Sequence, residues 1–147
     1  MTGEDWDKFW DALKLDRVIK QAIASNVKPN WVIVLYHNIR QTALVHEVLT
    51  ANAFGGIQNL YWIKSDHWTP TQVYQYTSTV EVMTIAYLSK PQDCQVKLHQ
   101  DPRKRVNHFE CPAVSPKSKY PNGDVVNPCE KPPEIMKWLM NNHCVKG

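Results

Sequence analysis

The feature that most limits how this chain can fold is the run Trp31-Val32-Ile33-Val34-Leu35-Tyr36-His37. It is nearly continuous in apolar and β-branched side chains, with none of the alternation of a strand that keeps one face in water. Such a run predicts a strand buried on both faces, the pattern found in the middle of an α/β sheet. Residues 39–54 then return to helical spacing through Ala43, Leu44, Val45, Val48 and Leu49, and Gly55-Gly56 reads as the stop. Residues 57–64 and 80–88 are two further strands, rich in Tyr, Trp and β-branched residues. The strand before the helix and the one after it can be joined as a crossover. The second and third strands can pair as an antiparallel hairpin. Together these elements indicate an α/β body over residues 1–90 of a single domain.

Ahead of the first strand, Trp6, Phe9, Trp10, Leu13, Val18, Ile19, Ala22 and Ile23 recur at helical spacing. The early acids suit a helix N-terminus, with Thr2 or Asp5 as the cap. The apolar face shifts near Lys14 to Asp16, which predicts a break or two abutting helices there. Lys28-Pro29-Asn30 ends the element, because proline disfavours helix in the residue before it.

Regularity is lost over residues 91–126, where most of the basic clusters gather, and eight of the ten prolines lie from Pro91 onward. The densest cluster is Asp101-Pro102-Arg103-Lys104-Arg105. Regular structure returns in the stretch from Asn127 to Met140. There Pro132 and Pro133 fix φ and supply no N–H, which suits a first helical turn. Glu134 sits early in that helix, and Ile135, Trp138 and Leu139 share one face.

At 147 residues the chain has room for one core. A net charge of +3 allows an anionic partner without demanding one. No apolar run is long enough to span a bilayer, and the acidic start is not that of a signal peptide, so an intracellular location, cytoplasmic or nuclear, is expected. Cys94, Cys111, Cys129 and Cys144 form no C-x-x-C pair, which favours reduced thiols over a zinc site. His108-x-x-Cys111 could open a metal site but has no matching second pair, and no metal is expected.

Several residues admit both a functional and a purely structural reading. Trp68, Tyr74 and Tyr76 lie in a long polar loop, residues 65–79, and either fold back on the core or form a platform for an extruded base. Arg103, Lys104 and Arg105 are either a solvated loop or phosphate contacts. His37 would end the first strand, where ligands of α/β sheets bind, although a hydrogen-bonded structural role also fits.

Asn127-Pro128-Cys129-Glu130-Lys131-Pro132, followed by an amphipathic helix, resembles a motif of the permuted, beta-type amino DNA methyltransferases, which methylate adenine N6 or cytosine N4 from S-adenosylmethionine. In that family the motif lies just upstream of the Gly-rich cofactor strand. The order of helix, buried strand, helix, Lys-ended strand, aromatic loop and last strand is similar too, so the resemblance covers nearly the whole chain. It implies a partial Rossmann-like methyltransferase fold: three layers, and a mixed sheet with a C-terminal antiparallel hairpin and a Pro-rich irregular region.

The resemblance also assigns sites. Asn127, Pro128, Glu130, Lys131 and Pro132 would face the cofactor; Lys64, Trp68, Tyr74, Tyr76, Arg103, Lys104 and Arg105 would face nucleic acid. Residues 91–126 would correspond to the target-recognition region.

Two departures limit what the resemblance implies. The sequence has no Asp-Pro-Pro-Tyr or Asn-Pro-Pro-Tyr tetrapeptide and no Phe-x-Gly-x-Gly loop. The chain begins about where the catalytic tetrapeptide should end and stops about where the cofactor strand should start. The expectation is therefore a methyltransferase-like domain that is not catalytic alone, with S-adenosylmethionine binding weak or absent. It would act as a fragment, split half or degenerate subunit, with DNA or another nucleic acid, and a second chain or copy, as partners. The alternatives are an active methyltransferase when completed by missing segments, and a protein-interaction module without a nucleic-acid role.

Overall fold

A computed structural model describes residues 11–25, 31–66, 79–88, 101–114, 122–123 and 131–143. Along the chain these form α1 (Ala12–Ser25), β1 (Val32–His37), a 3-10 turn (Ile39–Gln41), α2 (Thr42–Ala51), β2 (Gly55–Lys64), β3 (Val80–Tyr87), a second 3-10 turn (Pro102–Lys104), β4 (His108–Cys111) and α3 (Pro133–His143). The four strands make one mixed sheet in the order β1-β3-β2-β4. β1 runs antiparallel to β3, and β4 runs parallel to β2. This is the α/β architecture that the sequence indicates. The chain divides into two compact units: Met1–Leu60 with Val82–Gln95, and Tyr61–Glu81 with Val96–Gly147.

In the first unit, α1 begins at Asp11, whose carboxylate accepts the Lys14 N–H at 2.8 Å in the manner of an N-cap. That bond holds the Asp11 carboxyl below its usual range. Thr2 and Asp5, the caps expected from sequence, lie outside the described residues. The helix then runs unbroken through Lys14 to Asp16, contrary to the expected break. Leu15 and Ile19, one turn apart, face inward, while Leu13 and Val18 point to solvent. The shift in apolar pattern thus marks exposed apolar residues beside a single buried stripe. Leu15 and Ile19 pack with Val45, Val48, Leu49, Phe54 and Ala86 into one core, and Trp31 meets Phe54 edge-on with ring centroids 5.5 Å apart.

Helix α2 ends before Gly55-Gly56. Ala53 takes a left-handed φ of 63°; its N–H bonds to the Thr50 carbonyl and the Phe54 N–H to the Leu49 carbonyl, at 3.1 and 3.0 Å. This is the paired closure of a Schellman motif, with Phe54 and Leu49 supplying its apolar contact. The glycines expected to terminate the helix instead start β2.

β1 differs from expectation in its position. It stands at one end of the strand order and is half-buried along its whole length. The interior positions belong to β3 and β2, and β3 is buried from Val82 to Tyr87. β3 also separates β1 from β2, so the crossover through α2 joins strands that are not neighbours.

In the second unit, β4 is a short strand within the stretch expected to be irregular. Its four residues alternate outward and inward, a signal too brief to stand out from loop. Helix α3 starts at Pro133, with the Ile135 N–H on the Pro132 carbonyl at 3.1 Å. Ile135 and Leu139 are buried and Trp138 is half-buried, the face that the spacing predicts. Trp138 stacks on Phe109 of β4, centroids 5.5 Å apart. Among the described residues no helix is long and apolar enough to cross a membrane.

Candidate functional site

Three charged side chains of the second unit meet over one indole. Lys64 ends β2 and Glu81 is the second residue of β3. The backbone brings them close, because the Lys64 N–H donates to the Thr79 carbonyl at 2.7 Å. Lys131 immediately precedes the Pro132-Pro133 start of α3, and with Pro132 buried it has little freedom to swing away. The Lys64 ammonium lies 2.8 Å from Glu81 Oε1, and Lys131 Nζ donates to Glu81 Oε2, so each carboxylate oxygen holds one lysine. Trp62 lies beneath, with the Lys64 and Lys131 nitrogens 5.3 and 5.6 Å from its ring centroid, within cation–π reach. The ring is fixed because it is buried and its N–H donates to the Cys111 carbonyl at 2.9 Å.

The electrostatics follow from that geometry. Burial pushes the Glu81 carboxyl up, but hydrogen bonds from Lys131 and Lys64, and their charges, outweigh it and leave it below the ordinary carboxylate range. The cluster keeps a formal charge of +1 at neutral pH. It is a partly shielded cationic surface over a buried aromatic ring, able to hold an anion.

The structure brings Lys64 and Lys131 together, although sequence reasoning put one against nucleic acid and the other against a cofactor. Pro132 supports Lys131 from the interior. Asn127, Pro128 and Glu130, and the aromatics Trp68, Tyr74 and Tyr76, lie outside the described residues. Glu81 escaped notice in the sequence. Its only signal is a lone carboxylate at the head of an otherwise apolar strand.

The basic cluster lies apart from these residues along the chain. Asp101 accepts Arg103 through Nε at 3.1 Å, through a terminal guanidinium nitrogen at 3.2 Å and through the backbone N–H at 3.0 Å. These bonds hold the Asp101 carboxyl low. One of the three expected phosphate-facing charges is thus already shared with a carboxylate, while Arg103, Lys104 and Arg105 all remain exposed.

His37 is hydrogen-bonded through both ring nitrogens, to the Asn38 carbonyl and to Thr84. His108 and Cys111 are three residues apart on β4, so they point to opposite faces, one exposed and one buried. Burial pushes the Cys111 thiol up, as do the charges of Glu134 and Asp66, against the bond from Trp62. A protonated thiol is a poor metal ligand, and among the described residues no group of three His, Cys, Asp or Glu could hold a metal ion.

The sequence matches no protein-family model and no curated protein. Among solved structures, the M1.HpyAVI–SAM complex superposes with a TM-score of 0.65 at 15% identity, covering 91% of this chain and 61% of that one. A structure of M1.HpyAVI alone gives a TM-score of 0.56 at 14% identity, covering 93% of this chain and 73% of that one. The chain therefore shares its α/β fold with M1.HpyAVI, and it spans about three-fifths of the first of these structures.

Proposed function

We propose that this chain is a methyltransferase-like domain that does not catalyse alone, and that it serves as a fragment, split half or degenerate subunit binding nucleic acid or a partner chain. The observation that carries this reading is the Lys64–Glu81–Lys131 cluster over Trp62, set on a fold like that of M1.HpyAVI. Its chemistry suits binding. The lysines supply charge, the buried indole of Trp62 supports them from beneath, and Glu81 keeps both ammonium groups in place.

Catalysis needs more than this. Methyl transfer to an exocyclic amine requires an acceptor for the amine's protons, the part that the Asp-Pro-Pro-Tyr type tetrapeptide plays in the resembling family. That tetrapeptide is not in this sequence. The described residues also fit S-adenosylmethionine poorly. The ammonium of Lys131 is engaged by Glu81, Pro132 is buried, and the sequence has no Phe-x-Gly-x-Gly backbone to cradle adenosine.

Calorimetry with S-adenosylmethionine tests the reading. The expected result for the isolated chain is no heat of binding or only a weak one. Tight binding would sink the proposal and favour a complete enzyme. A parallel titration with an oligonucleotide separates a nucleic-acid-binding subunit, whose affinity falls as salt rises, from an interaction module that shows none.

A further inference from the structure

Glu81 does more in its cluster than balance charge, because its two oxygens are divided between two cations. Oε1 lies 2.8 Å from the Lys64 ammonium, and Oε2 accepts from Lys131 Nζ. The lysines come from separate stretches, the end of β2 and the residue before Pro132, and converge on this one carboxylate. A phosphodiester presents the same outline to a pair of lysines. Its single negative charge is shared by two neighbouring non-bridging oxygens, each able to accept from one ammonium.

The surroundings hold the lysines and leave the carboxylate reachable. Trp62 is buried beneath them with its N–H bonded to the Cys111 carbonyl. Both ammonium nitrogens stand over that ring, at 5.3 and 5.6 Å from its centroid, and it bars their retreat into the interior. The buried Pro132 fixes the backbone next to Lys131. Glu81 by contrast reaches the pair through rotatable side-chain bonds. The side chains of Lys64, Glu81 and Lys131 keep 23, 29 and 30% of their exposure, so a ligand can approach from solvent. Ion pairs this wet exchange partners at small cost. With Glu81 turned aside, two ammonium groups stand side by side and call for an anion. With Glu81 in place, its charge repels one.

Building on the nucleic-acid-binding reading above, we propose that Lys64 and Lys131 are a clamp for a backbone phosphate of nucleic acid, and that Glu81 is an internal mimic of that phosphate, holding the clamp closed until the strand displaces it. The exchange is anion for anion. Only hydrogen bonds and ion pairs change, and each lysine passes from one oxygen partner to another. A salt bridge kept for folding alone would take up no phosphate when its carboxylate is removed.

Titration calorimetry with inorganic phosphate, at an ionic strength held constant with sodium chloride, compares the full chain with its variants. Glu81→Gln should bind phosphate about tenfold more tightly than the unmodified chain, because no competing charge has to be moved aside. Adding Lys64→Gln to that variant should abolish the gain. An affinity unchanged by Glu81→Gln, or a gain that survives Lys64→Gln, overturns the proposal. A short single-stranded oligonucleotide should rank these proteins in the same order, and a gain confined to inorganic phosphate overturns the assignment to nucleic acid. In the unmodified chain the carbon-13 resonance of the Glu81 side-chain carboxyl should move with added phosphate and not with added chloride. A resonance indifferent to phosphate overturns the proposal even if the variants do not fold. Tight binding of S-adenosylmethionine would refute the domain reading and leave this comparison standing, since no arm of it uses that cofactor.

Discussion

At the scale of single residues, Glu81 organises the candidate site, and it does so by charge. Its lowered pKa makes its contribution pH-dependent in a definite direction. A carboxylate whose folded pKa lies below its unfolded value adds stability that is complete above the unfolded value, 4.5 for glutamate. That contribution is lost as pH falls through the lower folded value. In Glu81→Gln the two ammonium groups face each other without the carboxylate between them. Urea denaturation at neutral pH should show a loss on the order of 1 kcal/mol, discounted because all three groups are partly solvated. The same variant should flatten the acid limb of the stability curve, so that the two proteins converge well below pH 4.5. An unchanged difference at acid pH would mean that Glu81 contributes by packing rather than by charge.

At the scale of elements, the end of α2 stores a correctable strain. Ala53 adopts a left-handed conformation that costs an L-residue about 1–2 kcal/mol relative to glycine, and it does so to close the Schellman motif. Ala53→Gly should therefore stabilise the chain by about 1 kcal/mol, read as a raised denaturation midpoint. A lowered midpoint would mean that the entropy of the unfolded glycine dominates. Helix α3 gives the opposite case: Ile135 is fully buried, and Ile135→Ala should cost about 3 kcal/mol. These two helix ends also show what the sequence could reveal. The Pro132-Pro133 start and the spacing of Ile135, Trp138 and Leu139 announce α3 before any coordinates, because proline geometry and helical period are local properties. The end of α2 misleads because an alanine occupies the position where glycine is expected, so Gly55-Gly56 draws attention two residues too late. The order of the sheet is less legible still. β4 has only four residues, and nothing local in Trp31 to His37 says that β3 takes an interior position. Glu81 and Lys131 are 50 residues apart, and His37 and Thr84 are 47 apart. Such pairings follow from topology alone.

At the scale of the whole molecule, a net charge of +3 gives only weak general attraction for a polyanion, so any nucleic-acid binding must rest on local concentration of charge. The exposed turn at Arg103, Lys104 and Arg105 is the densest such concentration in the sequence, and Asp101 competes for its first member. Counterion release makes this measurable. With all three cations on phosphates of a single strand, log affinity should fall against log salt with a slope of about −2, roughly 0.7 per contact. Replacing all three by glutamine should bring the slope near zero. Asp101→Asn should have the opposite effect, strengthening binding at low salt, because Arg103 no longer has an internal carboxylate to hold. The two variants together separate the possible origins of binding. If the triple variant keeps its slope, the contacts lie elsewhere, and the Lys64–Glu81–Lys131 cluster becomes the surface to neutralise next. If the slope vanishes while Asp101→Asn changes nothing, the Asp101–Arg103 pair opens on binding at negligible cost, as an exposed pair in water can.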